Sequence, residues 1–297
     1  MKLRIGTRGS RLALAQTGHM ARALERLGHE TELVVISTVG DRVTDRPFAA
    51  IGPPGVFVRE IEKALLDGSI DVAVHSYKDL PTASPEGLVV AAVPERRDPS
   101  DVLVVDSGCW DAEGDCLPLS DRAVVGTSSS RRRSLLRDLR PELGVEGIRG
   151  NVPTRLRKCH EGGYDAVVLA VSGLRRLQDD GLSHIDGMRE FLLPPERFVP
   201  APSQGALALQ TRDAGEAHDA VAALDLPEVR AAVAAERSVL AALEGGCEAA
   251  IGAWCRPVDG GWEMHGAFER EDGLARAHAM GPDLEAVVAE VVGGLRG

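Results

Sequence analysis

Three stretches of the chain set arginine among small residues where an apolar run gives way to a helical pattern. They are Gly6-Thr7-Arg8-Gly9-Ser10, Gly126-Thr127-Ser128-Ser129-Ser130-Arg131-Arg132 and Arg149-Gly150-Asn151-Val152-Pro153-Thr154-Arg155. Such turns expose backbone N–H groups at the positive end of a helix, and an adjacent guanidinium adds a bidentate grip on carboxylate or phosphate. Ser10, Ser130 and Asn151 also suit plain N-capping with no ligand. Three such turns, each with arginine, point to a polyanion site. A different chemistry is offered by Val74-His75-Ser76-Tyr77-Lys78-Asp79-Leu80-Pro81 at the end of a strand. There Asp79 suits a general acid/base or the counter-ion of a cationic intermediate, against the plainer reading of a surface ion pair with Lys78. His75 reads as a hydrogen-bonded strand-end histidine. Cys247 follows two glycines, Gly245 and Gly246. A tight, exposed backbone suits a reactive thiol, although a lone cysteine is more often inert. Cys109, Cys116, Cys159 and Cys255 read as inert.

The elements that must position these residues alternate in type, which predicts an α/β fold with mainly parallel sheets. Strands are expected at Leu3–Gly6, Glu32–Ser37, Ile70–His75 and Leu88–Val93, with helices from Ser10 to about Leu27 and over Val56–Leu66. A second block repeats the pattern, with strands at Asp101–Val105, Ala123–Gly126, Val145–Arg149 and Asp165–Ala170 and helices at Ser130–Leu139 and Pro153–His160. Proline-bearing segments, Pro94–Pro99 and Pro194–Pro202, frame it. Gly205–Thr211 then reads as one more buried strand. The economical division is a first lobe of residues 1–93 and 200–221, a second lobe of residues 94–199 inserted into it, and a small α+β domain over residues 222–297. In open sheets of this kind the strand-to-helix turns converge at the carboxyl ends of the strands, so a ligand cleft is expected there, with two crossing strands as a hinge.

Composition narrows the function classes. The 297 residues are 44% hydrophobic and 27% charged, an ordinary soluble balance. A net charge of −11 repels nucleic acid and anionic membrane, so an anionic ligand needs a local basic site. Only Lys2, Lys63, Lys78 and Lys158 among the 34 basic residues are lysines. No aromatic interleaving accompanies the arginines, which argues further against nucleic acid. No stretch approaches the ~20 apolar residues of a membrane span. Neither HExxH nor a Walker A loop is present, so no metal or P-loop is indicated. The five cysteines form no CxxC pair and Met1–Gly6 has no apolar signal region, so free thiols in a reducing cytoplasm are expected.

Over nearly its whole length the chain resembles the porphobilinogen deaminase (hydroxymethylbilane synthase) family. The matching stretches are Arg8-Gly9-Ser10-Arg11-Leu12-Ala13, Gly55-Val56-Phe57-Val58-Arg59-Glu60, Ala73 to Pro81, Gly126-Thr127-Ser128-Ser129, Arg149-Gly150-Asn151-Val152, Ser203-Gln204-Gly205-Ala206 and Leu243-Glu244-Gly245-Gly246-Cys247. The resemblance implies two lobes like those of periplasmic solute-binding proteins and a third, cysteine-bearing domain. It implies a dipyrromethane cofactor joined by a thioether to Cys247. Four porphobilinogens would be added to it one at a time, each losing ammonia, and hydrolysis would release the linear tetrapyrrole. Each pyrrole carries an acetate and a propionate, so the growing chain is the polyanion that the arginine turns suit.

By the same resemblance Asp79 is catalytic, stabilising the cationic azafulvene left when ammonia departs. Lys78, Ser129, Arg131, Arg132 and Arg155 would bind the cofactor, and Arg8, Ser10, Gln16, Arg149, Arg176 and Gln204 the substrate. The implied protein is a cytoplasmic monomer in porphyrin and heme biosynthesis whose product passes to uroporphyrinogen-III synthase. The rival reading from another class is a two-lobed binding protein for an organic anion, without catalysis. Three positions depart from the family pattern: Pro54 stands where many members have lysine, Arg59 replaces a second lysine, and Ala242 stands where some have arginine. Residues 41–54 read as a lid over the cleft, stiffened by Pro53 and Pro54.

Intact-mass spectrometry of the purified protein is expected to show an addition equal to two porphobilinogens less two ammonias. Cys247→Ala should lose it and Cys159→Ala should keep it; an unmodified mass in active protein would refute the attachment.

Overall fold

The computed structural model describes residues 1–38, 58–114, 116–182, 186–243 and 249–297. Cys247 and the expected lid, residues 41–54, lie outside the described residues. Residues 1–97 and 205–234 form one compact unit, and residues 98–204 and 235–297 form another.

In the first unit, strands β1 (Lys2–Thr7), β2 (Glu30–Val35), β3 (Val72–Ser76), β4 (Leu88–Ala92) and β10 (Leu207–Arg212) form one sheet in the order β2-β1-β3-β10-β4. β1 pairs in parallel with β2 and β3, and β10 runs antiparallel between β3 and β4. The two-residue period of the strands explains how both faces are covered. Leu3, Ile5, Val72, Val74, Leu207 and Leu209 meet Met20, Ala21 and Leu24 of helix α1 (Arg11–Arg26) and Val221 of helix α6 (Glu216–Ala222). Ala73 meets Ile61 and Leu65, one turn apart on helix α2 (Arg59–Leu66), together with Ile70 and Leu88. Each of these larger side chains contributes about 1.5–3 kcal/mol by leaving water.

The second unit carries a sheet of the same design. Strands β5 (Asp101–Asp106), β6 (Val124–Gly126), β7 (Gly144–Glu146), β8 (Ala166–Ala170) and β9 (Met188–Leu193) lie in the order β7-β6-β8-β5-β9. β6 is parallel to β7 and β8, and β5 is antiparallel to β8 and β9. Leu103 and Val105 of β5 face Leu135 and Leu136 of helix α3 (Ser130–Leu139). Val102 and Val104 face Leu156 of helix α4 (Val152–Lys158) and Leu174 of helix α5 (Val171–Asp179). Helix α5 and strand β9 leave no clear mark in the sequence. β8 runs into α5 with no intervening loop, and Ala170 caps it without a side-chain bond, so there is no turn residue to read. β9 is an edge strand with no clean alternation of burial.

Helix α7 (Pro227–Ala242) precedes a three-stranded antiparallel meander, β11 (Ile251–Val258), β12 (Gly261–Arg270) and β13 (Gly273–Gly281), closed by helix α8 (Leu284–Arg296). Val291 and Leu295 of α8 sit so close over Gly266 that a Cβ there would fall 2.7 Å from both. On β11, Ala253 N donates to Pro200 O at 3.0 Å, and a Cβ on Gly252 would meet Val199 O at 2.7 Å, so only glycine lets these backbones approach. No helix among the described residues is long and apolar enough to cross a membrane.

Glu236 of α7 ties these parts of the second unit together. It is fully buried; its Oε2 accepts from Ser203 N at 2.7 Å and its Oε1 from Cys255 N at 2.8 Å. Ser203 has a left-handed φ of 66°, and the bond to Glu236 helps to hold it there. Glu236→Gln turns one acceptor into a donor facing a backbone N–H, which costs about 1–3 kcal/mol. Calorimetry should show a Tm lower by several degrees; an unchanged Tm would remove Glu236 from this role.

Candidate active site

The first unit places its candidates at the carboxyl ends of two inner strands of its sheet. Gly6 of β1 lies opposite Ala73 of parallel β3, so the carboxyl ends of these strands are neighbours. Arg8 and Ser10 follow one and Tyr77-Lys78-Asp79 follows the other as a single 3₁₀ turn. Lys78 and Asp79 are exposed. Ser10 caps α1, its Oγ accepting from Ala13 N at 3.2 Å. Gln16, buried on α1, donates from Nε2 to Ser76 Oγ at 2.9 Å, and Thr17 Oγ1 donates to Thr7 Oγ1 at 2.7 Å. The helix is thereby bonded to the ends of both strands. His75 is buried, and burial pushes its imidazole down to about 4, so it is neutral and structural near pH 7.

In the second unit the turns after β6, β7 and β8 carry the remaining candidates. Two parallel pairings put these carboxyl ends side by side. The cap of α3 is Ser129 rather than the expected Ser130: Ser129 Oγ accepts from Arg132 N at 3.4 Å, and Ser130 is already the first helical residue. Asn151 caps α4 as expected, accepting from Thr154 N at 3.0 Å. Gly150 has φ +112°, and a Cβ there would meet Thr154 at 2.6 Å, so this turn requires glycine. Arg149 sits in the same turn and accepts at its carbonyl from Lys158 Nζ at 3.2 Å. Arg176 is buried on α5.

Asp101, unmarked in the sequence reading, organises this group. It begins β5, opposite Ala170 at the end of antiparallel β8, and is fully buried. Arg131 Nη2 donates to Asp101 Oδ2 at 2.8 Å, and Arg132 Nη2 and Nε donate to Asp101 Oδ1 at 2.6 and 3.1 Å. Gln204 Nε2 adds a bond to the same Oδ1 at 3.0 Å and one to Pro99 O at 2.7 Å. Val199 O and Val168 O accept from Arg131 Nη1 and Arg132 Nη1 at 2.7 and 2.9 Å. Burial alone would raise the Asp101 carboxyl, but the two guanidinium charges outweigh it and hold it far below the usual carboxylate range.

Two buried cations on one anion leave one positive charge in excess. Arg131 Nε is buried with no hydrogen-bond acceptor among the described residues. Arg155, whose Nε donates to Gly150 O at 2.8 Å, is pushed down to about 10 by burial and then by the charge of Arg132. Arg131, Arg132 and Arg155 thus form one electropositive patch at the strand ends, one that favours an anion. The missed signal for Asp101 is a lone acid at the head of the apolar run Val102–Val105, which in a buried strand demands a cation.

Among the described thiols, those of Cys109 and Cys159 are held protonated. Burial pushes Cys159 up to about 12. Cys109 rises to about 11 through burial and the Asp165 carboxylate, to which its thiol donates at 3.2 Å. Cys255 is buried, and Cys116 is exposed.

Solved structures similar to this chain include the VFT2 domain of Bordetella pertussis BvgS, with TM-score 0.43 and 14% identity over 80% of this chain and 92% of that one. An ancestral cationic amino acid solute binding protein gives TM-score 0.44 and 14% identity over 75% and 87%. A porphobilinogen deaminase of Syntrophobacter fumaroxidans is 45% identical over 291 residues, 96% of this chain and 90% of that protein. One from Acidothermus cellulolyticus is 48% identical over 256 residues, 84% of this chain and 74% of that protein. Residues 3–220 match the family model described as porphobilinogen deaminase, dipyromethane cofactor binding domain. A match of this extent, together with relatives this close over most of the sequence, makes the chain a member of the porphobilinogen deaminase family.

Proposed function

We propose that this protein is a hydroxymethylbilane synthase, condensing four porphobilinogens head to tail with loss of ammonia onto a Cys247-linked dipyrromethane and then releasing the linear tetrapyrrole by hydrolysis. The observation that carries the reading at the site is the excess positive charge of Asp101, Arg131, Arg132 and Arg155. A dipyrromethane bears two acetates and two propionates, and the patch, with an Arg131 N–H that has no acceptor among the described residues, fits such a group. When bound, it supplies the primer carbon for chain growth. Ser129, Arg131, Arg132, Arg155 and Lys78 would hold its carboxylates. Arg8, Ser10, Gln16, Arg149 and Arg176 would receive those of the substrate. Gln204 is better read as a brace, since its amide holds Asp101 and the Pro99 carbonyl.

Asp79 is the proposed catalytic group. Its exposed carboxylate, at the end of β3 beside Lys78, can accept a hydrogen bond from a pyrrole N–H and offset the positive charge left when the substrate's ammonia departs. The same reading makes the protein a cytoplasmic monomer that hands its product to uroporphyrinogen-III synthase. The rival, a binding protein for organic anions, predicts no covalent adduct and no ammonia release.

Asp79→Asn should lower turnover at least ~10²-fold while the mass of the loaded protein stays unchanged. Ammonia release, followed together with intact mass, checks this, and a rate above about a tenth of wild type would return Asp79 to an ordinary loop. Asp101→Asn should cost about 3–5 kcal/mol, because two buried guanidinium groups lose their counter-charge. Chemical denaturation measures it; a loss below about 1 kcal/mol would mean that water reaches the cluster.

A further inference from the structure

Glu263 and His265 on β12 and His278 on β13 share one face of the three-stranded sheet, with His265 directly opposite His278 in register. Glu263 Oε1 lies 3.2 Å from His265 Nε2 and 3.1 Å from His278 Nε2. The three donor atoms all fall within 4.8 Å of one another. The second carboxylate oxygen is already held, accepting from Arg256 Nε at 2.7 Å. Trp254, opposite His265 on β11, stacks on its ring at 5.4 Å between centroids and so fixes its orientation. The two imidazole rings are 4.4 Å apart.

We infer that His265, His278 and Glu263 form a binding site for a divalent transition-metal ion of the zinc class. Nε2, Nε2 and Oε1 are the ligands, and water completes the coordination. Two imidazoles and a carboxylate are a donor set for zinc, nickel or copper rather than for magnesium or calcium. Ligands at ~2.0–2.1 Å from a tetrahedral ion are separated from each other by about 3.3 Å, close to both distances from Glu263 Oε1. The His278 side chain is 49% exposed, whereas that of Glu263 is 10% exposed, so an ion has a way in and an anchored carboxylate to meet. Arg256 holds the ligating carboxylate in place, as outer partners of metal sites do. A bound ion would staple β12 to β13. HExxH-type reading misses such a site because its ligands come from two strands rather than from one helix turn.

Full-length protein carrying its covalent group, stripped with a chelator, is titrated with Zn²⁺ by calorimetry and with Co²⁺ by absorption. About one ion per chain should bind, and Zn²⁺ should raise Tm. His278→Ala, at an exposed position, should fold normally, weaken zinc binding at least ~10-fold and abolish the Tm rise; His265→Gln should do the same. The inference is overturned by absence of saturable binding, which leaves the three side chains as a hydrogen-bonded cluster, or by unchanged affinity in both variants. Thiolate charge-transfer bands in the cobalt spectrum would place the ion on cysteine and overturn it as well.

Discussion

A carboxylate with no access to water needs charged or hydrogen-bonding partners, and in this protein Asp101 has two cations. Their guanidinium groups are drawn inward to Asp101 and to the carbonyls of Val168 and Val199, so the first turn of α3 is bonded to β5, to β8 and to the segment after β9. Gln204 adds the start of the segment that leaves the unit. Because the ratio is two to one, the same cluster that fixes the geometry leaves a positive field at the strand ends. Structure and electrostatics therefore rest on one interaction. A buried ion pair of equal charges would have braced the sheet and offered an anion nothing.

Much of the fold was legible because local signals and global pattern agreed. The helix over Ser130–Leu139 was read with the ends it has, from serine at its start and proline beyond it. Strands with two buried faces, such as Asp101–Asp106, stood out as apolar runs. What escaped was α5, which follows β8 without a turn, α6, a short helix after Gly215, and β9, an edge strand whose burial does not alternate. At the site, the arginine turns announced themselves by composition, whereas the acid that organises two of those arginines is 30 residues away from one of them in the chain. A pairing of that separation has no local trace. Ser129 and Ser130 show the finer limit, since adjacent serines offer the same cap and only the backbone decides.

The sheets of the two units share a strand arrangement but not a chain order. In each, a parallel trio is followed by an antiparallel strand and then a fifth strand. That antiparallel strand is the last to occur in the first unit, β10, and the first to occur in the second, β5. The same sheet thus admits its reversed strand from either end of the sequence, as expected when the strand between β3 and β4, or between β8 and β9, is placed by side-chain burial on both faces rather than by a short hairpin.

That order has a consequence for synthesis on the ribosome. β10 supplies the hydrogen bonds between β3 and β4, yet it is made more than a hundred residues after β4. Until Leu207–Arg212 emerges, two inner strand edges of the first sheet stand open, with unsatisfied N–H and C=O groups and apolar faces. The sheet of the second unit needs nothing beyond Leu193 and can close first. Nascent chains halted between these points would expose a templating edge, so of the two five-stranded sheets the first to be made is the second to be protected, and that interval is where a chaperone would act.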